Sequence, residues 1–110
     1  MDPNRDYAYS RSDNRCFKSS SAQLFASLFD DNLIQFVVTF HGGMEAIAYE
    51  WGSKNHPSPR DKCPDNTAFH TVAHMLRDAA GAVPGSPMYP VGRMNSLVYP
   101  VDGGMEASTF

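Results

Sequence analysis

Leu33-Ile34-Gln35-Phe36-Val37-Val38-Thr39-Phe40 is a mostly apolar run that ends in His41-Gly42-Gly43. A run of this length and composition predicts a buried strand. Such a strand would deliver one imidazole to its C-terminal end, where open α/β sheets keep their ligand sites. The two glycines let the backbone turn sharply and let a ligand come close. Upstream, Ser19 to Asp31 reads as a helix. Ser20 and Gln23 have capping-box spacing, and Ala22, Phe25, Leu28 and Phe29 form an apolar stripe at helical intervals. Asn32 is the expected stop. A helix feeding an apolar strand implies an α/β unit with a covered sheet.

Working outward, Asp2 to Lys18 is rich in Asn, Asp, Arg and Ser and reads as a surface loop. Met44 to Trp51 fits either a short strand or an extended segment of a site. Gly52 to Pro64 contains three prolines and mixed charges, which makes it a loop. Pro64 to Ala80 is the second helix, with Pro64 suited to the first helical position, Asp65 to the positive dipole end and Gly81 to the stop. Phe69, Val72, Ala73, Leu76 and Ala80 make its buried stripe. Gly81 to Asn95 is Gly- and Pro-rich and reads as a long loop of the kind that often forms a lid. Leu97 to Val101 is expected to be a short strand, closed by Asp102-Gly103-Gly104.

The 110 residues fit one small domain, and 42% apolar content is enough for a core. Mean hydropathy is −0.39, and no window reaches the roughly 20 apolar residues of a membrane span. The polar start, Met1 to Asp6, has no apolar centre of a secretory signal, so the chain would be cytoplasmic if Met1 is the true start. A net charge of −3 with scattered Lys and Arg argues against nucleic-acid binding. Cys16 and Cys63 are too few for a disulfide scaffold and do not form a metal knuckle. Free thiols, or one stapling disulfide in an extracellular setting, both fit.

His70 and His74 have the spacing of a zinc-binding helix pair. The peptidase form of that motif needs Glu directly after the first His, and Thr71 stands there. They read as helix-surface histidines.

A second constellation carries more. Asp2-Pro3-Asn4-Arg5-Asp6-Tyr7, then Phe40-His41-Gly42-Gly43 with Tyr49 eight residues after the His, then Tyr99-Pro100-Val101-Asp102-Gly103-Gly104-Met105-Glu106, occur in that order across nearly the whole chain. Pro64-Asp65-Asn66 falls at a helix start between them. Together these segments resemble the carboxypeptidase A/B-type zinc metallocarboxypeptidases.

The resemblance implies a fold, a cofactor and roles. The fold would be part of a mixed-sheet α/β domain with flanking helices, spanning residues 1–110. Asn4 and Arg5 would hold the terminal carboxylate of a peptide or protein substrate, and Tyr99 would close over it. His41 would be the third zinc ligand. Glu106, two residues after the Gly-Gly pair, would line the side-chain pocket and favour C-terminal Lys or Arg. A guanidinium fork suits this task because its paired N–H groups match both carboxylate oxygens. Zinc would polarise the scissile carbonyl and acidify its bound water.

The chain also departs from the family pattern. Glu50 stands where Pro usually follows the Tyr, and Ala107-Ser108-Thr109-Phe110 replaces Asp-Trp-x-Tyr. The His-x-x-Glu segment with the first two zinc ligands, the oxyanion Arg and the catalytic Glu all belong outside these residues. No catalytic residue is therefore expected within this chain, and Zn2+ is not expected to bind it stably alone. The alternative is a non-catalytic module that keeps the Asn4/Arg5/Tyr99 clamp and binds peptide C-termini without cutting. A third expectation is an incompletely read gene, which the abrupt divergence at Ala107 and the start just before Asn4 favour; a natural truncation is not distinguished from it by sequence.

Overall fold

A computed structural model describes residues 2–8, 16–82, 85 and 87–105. A 3-10 turn at Pro3–Arg5 is followed by α1 (Ser20–Asp31), β1 (Ile47–Tyr49), α2 (Asn66–Ala80), β2 (Val91–Arg93) and α3 (Met94–Leu97). β1 and β2 pair in parallel, with Ile47 opposite Val91, Ala48 opposite Gly92 and Tyr49 opposite Arg93. The connection between them runs through α2, which packs on both strands. The fold is mixed α/β, built on one small β-α-β unit.

Both long helices lie close to their expected positions because their signals are local. α1 is capped by Ser19, one residue earlier than the capping-box spacing implies, and the Ser19 hydroxyl accepts from Ala22 N–H at 3.3 Å. Gln23 reaches back to the Phe17 carbonyl at 2.9 Å instead of closing a box. Asn32 ends α1 as expected, its side-chain amide donating to the Leu28 carbonyl at 3.0 Å. α2 begins at Asn66, not Pro64, because residues 63–66 first form a turn in which Asn66 N–H bonds the Cys63 carbonyl. Gly81 stops α2 at φ +72°, and its N–H donates to the Arg77 carbonyl at 3.0 Å.

The expected strand Leu33–Phe40 does not form. Its residues lie in non-regular backbone, and Leu33 and Phe40 are 91% and 94% exposed. The cause is lateral: a strand exists only where a neighbour exchanges backbone hydrogen bonds. Among the described residues the one backbone bond this stretch makes is local, from Ile34 N–H to the Asn32 carbonyl two residues earlier. It lines an open cleft of about 910 Å³ whose other lining residues include Tyr49, Phe69, Val72 and Leu76.

Two further expectations are corrected. Val91–Arg93, read as part of a Gly/Pro-rich loop, is β2, because pairing with β1 overrides its weak local propensity. The strand expected at Leu97–Val101 is replaced by α3 and a turn. Asn95 dictates this: its N–H donates to the Trp51 carbonyl, and its side-chain amide bonds the carbonyls of Ser53 and His56 at 2.8 and 2.7 Å.

Buried apolar residues include Tyr7, Ala22, Cys63, Ala73 and Val101. The N-terminal segment is therefore not all surface loop, since Asp6 and Tyr7 are both buried. Cys16 and Cys63 are both thiols. Burial raises the Cys63 thiol above its usual range, with the Glu50 charge adding to the effect. No helix among the described residues is long and apolar enough to cross a membrane.

Candidate substrate-carboxylate and metal positions

The N-terminal turn and the segment after α3 meet although nearly the whole chain separates them. Asp2 caps the turn by accepting from Asn4 N–H at 2.9 Å. Asn4 then turns its side-chain oxygen to Met105 N–H at 3.0 Å. Tyr7 N–H donates to the Gly103 carbonyl at 3.1 Å. Contact is so close that a Cβ on Gly103 would lie 2.5 Å from the Arg5 carbonyl oxygen, and Gly103 also sits at φ +76°. Only glycine meets both conditions without strain.

This clamp positions Arg5 and Tyr99. Arg5 Nη2 donates to Tyr99 Oη at 3.3 Å, and Nη1 donates to the Asn4 carbonyl at 2.6 Å. Asp2 lies 3.9 Å from Nη1, a loose and exposed ion pair. Both side chains face solvent, with Tyr99 55% exposed. The result is an accessible cationic fork beside a phenol, with Asn4 the residue next to Arg5 in the chain.

The polar residues that hold this edge were not singled out in the sequence. Asp102 accepts from the Ser53 hydroxyl at 3.2 Å and from Lys54 N–H at 3.0 Å, and Lys54 Nζ lies 3.6 Å from its other oxygen. With Val101 N–H on the Gly52 carbonyl, this ties the 52–54 loop to the Gly-Gly turn. Asp6 accepts from Ser19 N–H at 2.6 Å, which anchors the start of α1 to the Arg5 segment. That backbone bond holds the Asp6 carboxyl below its usual range, outweighing the opposing effect of burial. No local pattern marks Asn95, Asp102 or Asp6, because each acts on partners remote in sequence.

His41 is exposed and lines the same cleft as Met105, whose N–H meets Asn4. Tyr49, eight residues on, lies in β1 and stacks on Phe69 with ring centres 6.3 Å apart. Glu106 lies outside the described residues.

A family model for zinc carboxypeptidase matches residues 1–109. The chain belongs to the zinc carboxypeptidase family. No curated protein and no solved structure matches it. Zinc carboxypeptidases are metallopeptidases acting at peptide C-termini, and the family implies Zn2+ in the intact domain. A catalytic zinc takes three protein donors. Among the described residues no three of His, Cys, Asp or Glu converge to hold an ion. The described residues therefore do not complete a zinc site.

His70 and His74, read as helix-surface residues, lie on α2 with His70 exposed and His74 half-buried. Burial, with Arg77 and His70 nearby, lowers the tendency of His74 to protonate.

Proposed function

We propose that residues 1–110 are the carboxylate-binding part of a zinc carboxypeptidase domain of the A/B type, which hydrolyses C-terminal residues from peptides. Asn4, Arg5 and Tyr99 grip the terminal carboxylate, and His41 contributes one of the zinc ligands. Glu106 is the residue that gives a preference for C-terminal Lys or Arg. The remaining zinc ligands, the oxyanion Arg and the Glu base come from sequence outside these residues, and residues 1–110 alone do not hydrolyse peptides.

The observation that supports this reading is the Arg5–Tyr99 hydrogen bond, made while Asn4 is tied to Met105. Three residues that the family resemblance assigns to one carboxylate are thereby gathered at one accessible edge. A guanidinium beside a phenol offers charge-assisted hydrogen bonds to an anion of that shape. The same gathering supports a second reading, in which the chain binds peptide C-termini without cutting them.

The test has two arms. The 110-residue chain is titrated with a short peptide ending in Lys and with its C-terminal amide. Binding of the acid over the amide supports the carboxylate grip, and equal binding rejects it. The chain is then joined to the flanks that complete a domain, and zinc-dependent release of C-terminal residues is assayed with and without His41→Ala. Full activity in that variant removes His41 from the metal site. Binding without release, whatever the zinc, favours the non-cutting module.

A further inference from the structure

We propose that His70 and His74 form a two-imidazole site for a borderline divalent transition-metal ion, with Cu2+ preferred over Ni2+ and Zn2+. The inference stands apart from the carboxylate reading, since it uses neither Arg5 nor His41.

The geometry carries it. The two rings occupy successive turns of α2, with centres 4.3 Å apart and planes inclined at 41°. Metal–nitrogen bonds to imidazole are about 2.0–2.1 Å, so two rings bound at a right angle would have centres roughly 4.5 Å apart. The rings already stand at close to that separation, which puts both within reach of a single ion. His70 is also steadied by a third ring. Tyr49 meets it edge-on at 6.5 Å with planes at 83°, and Tyr49 is itself stacked on Phe69. A ligand held before binding loses less rotamer freedom on coordination.

The surroundings define the class of ion. Among the described residues neither imidazole is in an ion pair with a carboxylate. The nearest acidic group along this face, Asp78, is one turn beyond His74 but is engaged by Arg77, whose Nε and Nη2 donate to one oxygen at 2.9 and 2.7 Å. Two neutral nitrogens with water completing the shell favour ions that bind imidazole well, in the order set by the Irving–Williams series. Thr71 stands where a metallopeptidase helix places its Glu base, so this pair has binding chemistry without a base beside it. An ion bridging two turns would clamp α2 and stabilise the folded chain by mass action.

The test titrates the whole 110-residue chain with CuCl2, NiCl2 and ZnCl2 by calorimetry and follows thermal unfolding with each ion. Expected are one site per chain, tightest for Cu2+, a rise in Tm on binding, and at least a tenfold loss of affinity in His70→Ala and in His74→Ala. His41→Ala should keep the parent affinity. His70 is exposed, so His70→Ala keeps the question decidable if the half-buried His74 cannot be replaced without unfolding. Affinity within twofold of the parent in His70→Ala, or its loss in His41→Ala, would overturn the proposal.

Discussion

Arg5 and Tyr99 are 94 positions apart in sequence, yet a guanidinium nitrogen of one donates to the phenolic oxygen of the other at 3.3 Å. Neither group is buried, so the bond contributes little to stability. Its effect is orientation: it aims the fork and the hydroxyl at the same volume of solvent. The energetic work of bringing them together is done elsewhere, by Asn4 on Met105 and by Tyr7 on Gly103.

Arg5→Lys should weaken binding of a peptide with a free C-terminus by about tenfold, roughly 1.4 kcal/mol, because an ammonium cannot present two parallel donors to a carboxylate. Tyr99→Phe should cost less, about 0.5–1.5 kcal/mol, the usual value of one hydrogen bond. Titration with the acid and the amide forms of one peptide checks both, and the losses should appear only with the acid.

Gly103→Ala should destabilise the chain by about 2 kcal/mol and loosen the proposed carboxylate grip with it. The new methyl would meet the Arg5 carbonyl at 2.5 Å, and φ +76° is strained for alanine. Gly42→Ala is the control. Nothing lies within 4 Å of a Cβ there and its φ is not in the left-handed range, so its effect should stay within about 0.5 kcal/mol. Urea unfolding of the two variants separates the cases.

Asp6 makes stability depend on pH in one direction. Its carboxyl is held below the ordinary value of 3.8 in the folded chain, chiefly by Ser19 N–H. The folded state therefore binds its proton less readily than the unfolded state. The stabilisation is present above the unfolded value and is lost as pH falls through the folded one. Asp6→Asn should be less stable than the parent near neutrality, and the gap should close below about pH 4. Tm measured against pH for both proteins checks the sign, and a gap that widens on acidification would contradict it.

The helices were legible in the sequence because their determinants are local. The apolar stripe, Asn32 and Gly81 are all within a turn of what they control. Even there the cap of α1 fell on Ser19, since adjacent serines offer the same hydroxyl and only the backbone chooses between them. β2 was not legible: three residues with a central glycine carry no period, and β1 alone makes them a strand. The nearness of Arg5 to Tyr99 could be anticipated only from the resemblance of the ordered segments that hold them. The supports of that pair were not legible, because Asn95 and Asp102 act on a loop about 40 residues upstream, and a lone Asn or Asp has no pattern to betray a remote partner.

Leu33–Phe40 offers the sharpest contrast between sequence and structure, and substitution can exploit it. Phe40 is 94% exposed in this chain, so Phe40→Ser should alter stability by no more than about 0.5 kcal/mol. If the run is a strand that waits for neighbours, the same change in a domain completed by its flanking strands removes a buried aromatic. There the cost should reach about 3–5 kcal/mol, the range for emptying a core site of that size. Guanidinium unfolding of the variant in both contexts reads the difference directly. Equal, small costs in the two would mean that the run stays outside the sheet even when partners are present. His41 would then not be carried to a strand end, and its assignment to the metal would lose its structural basis.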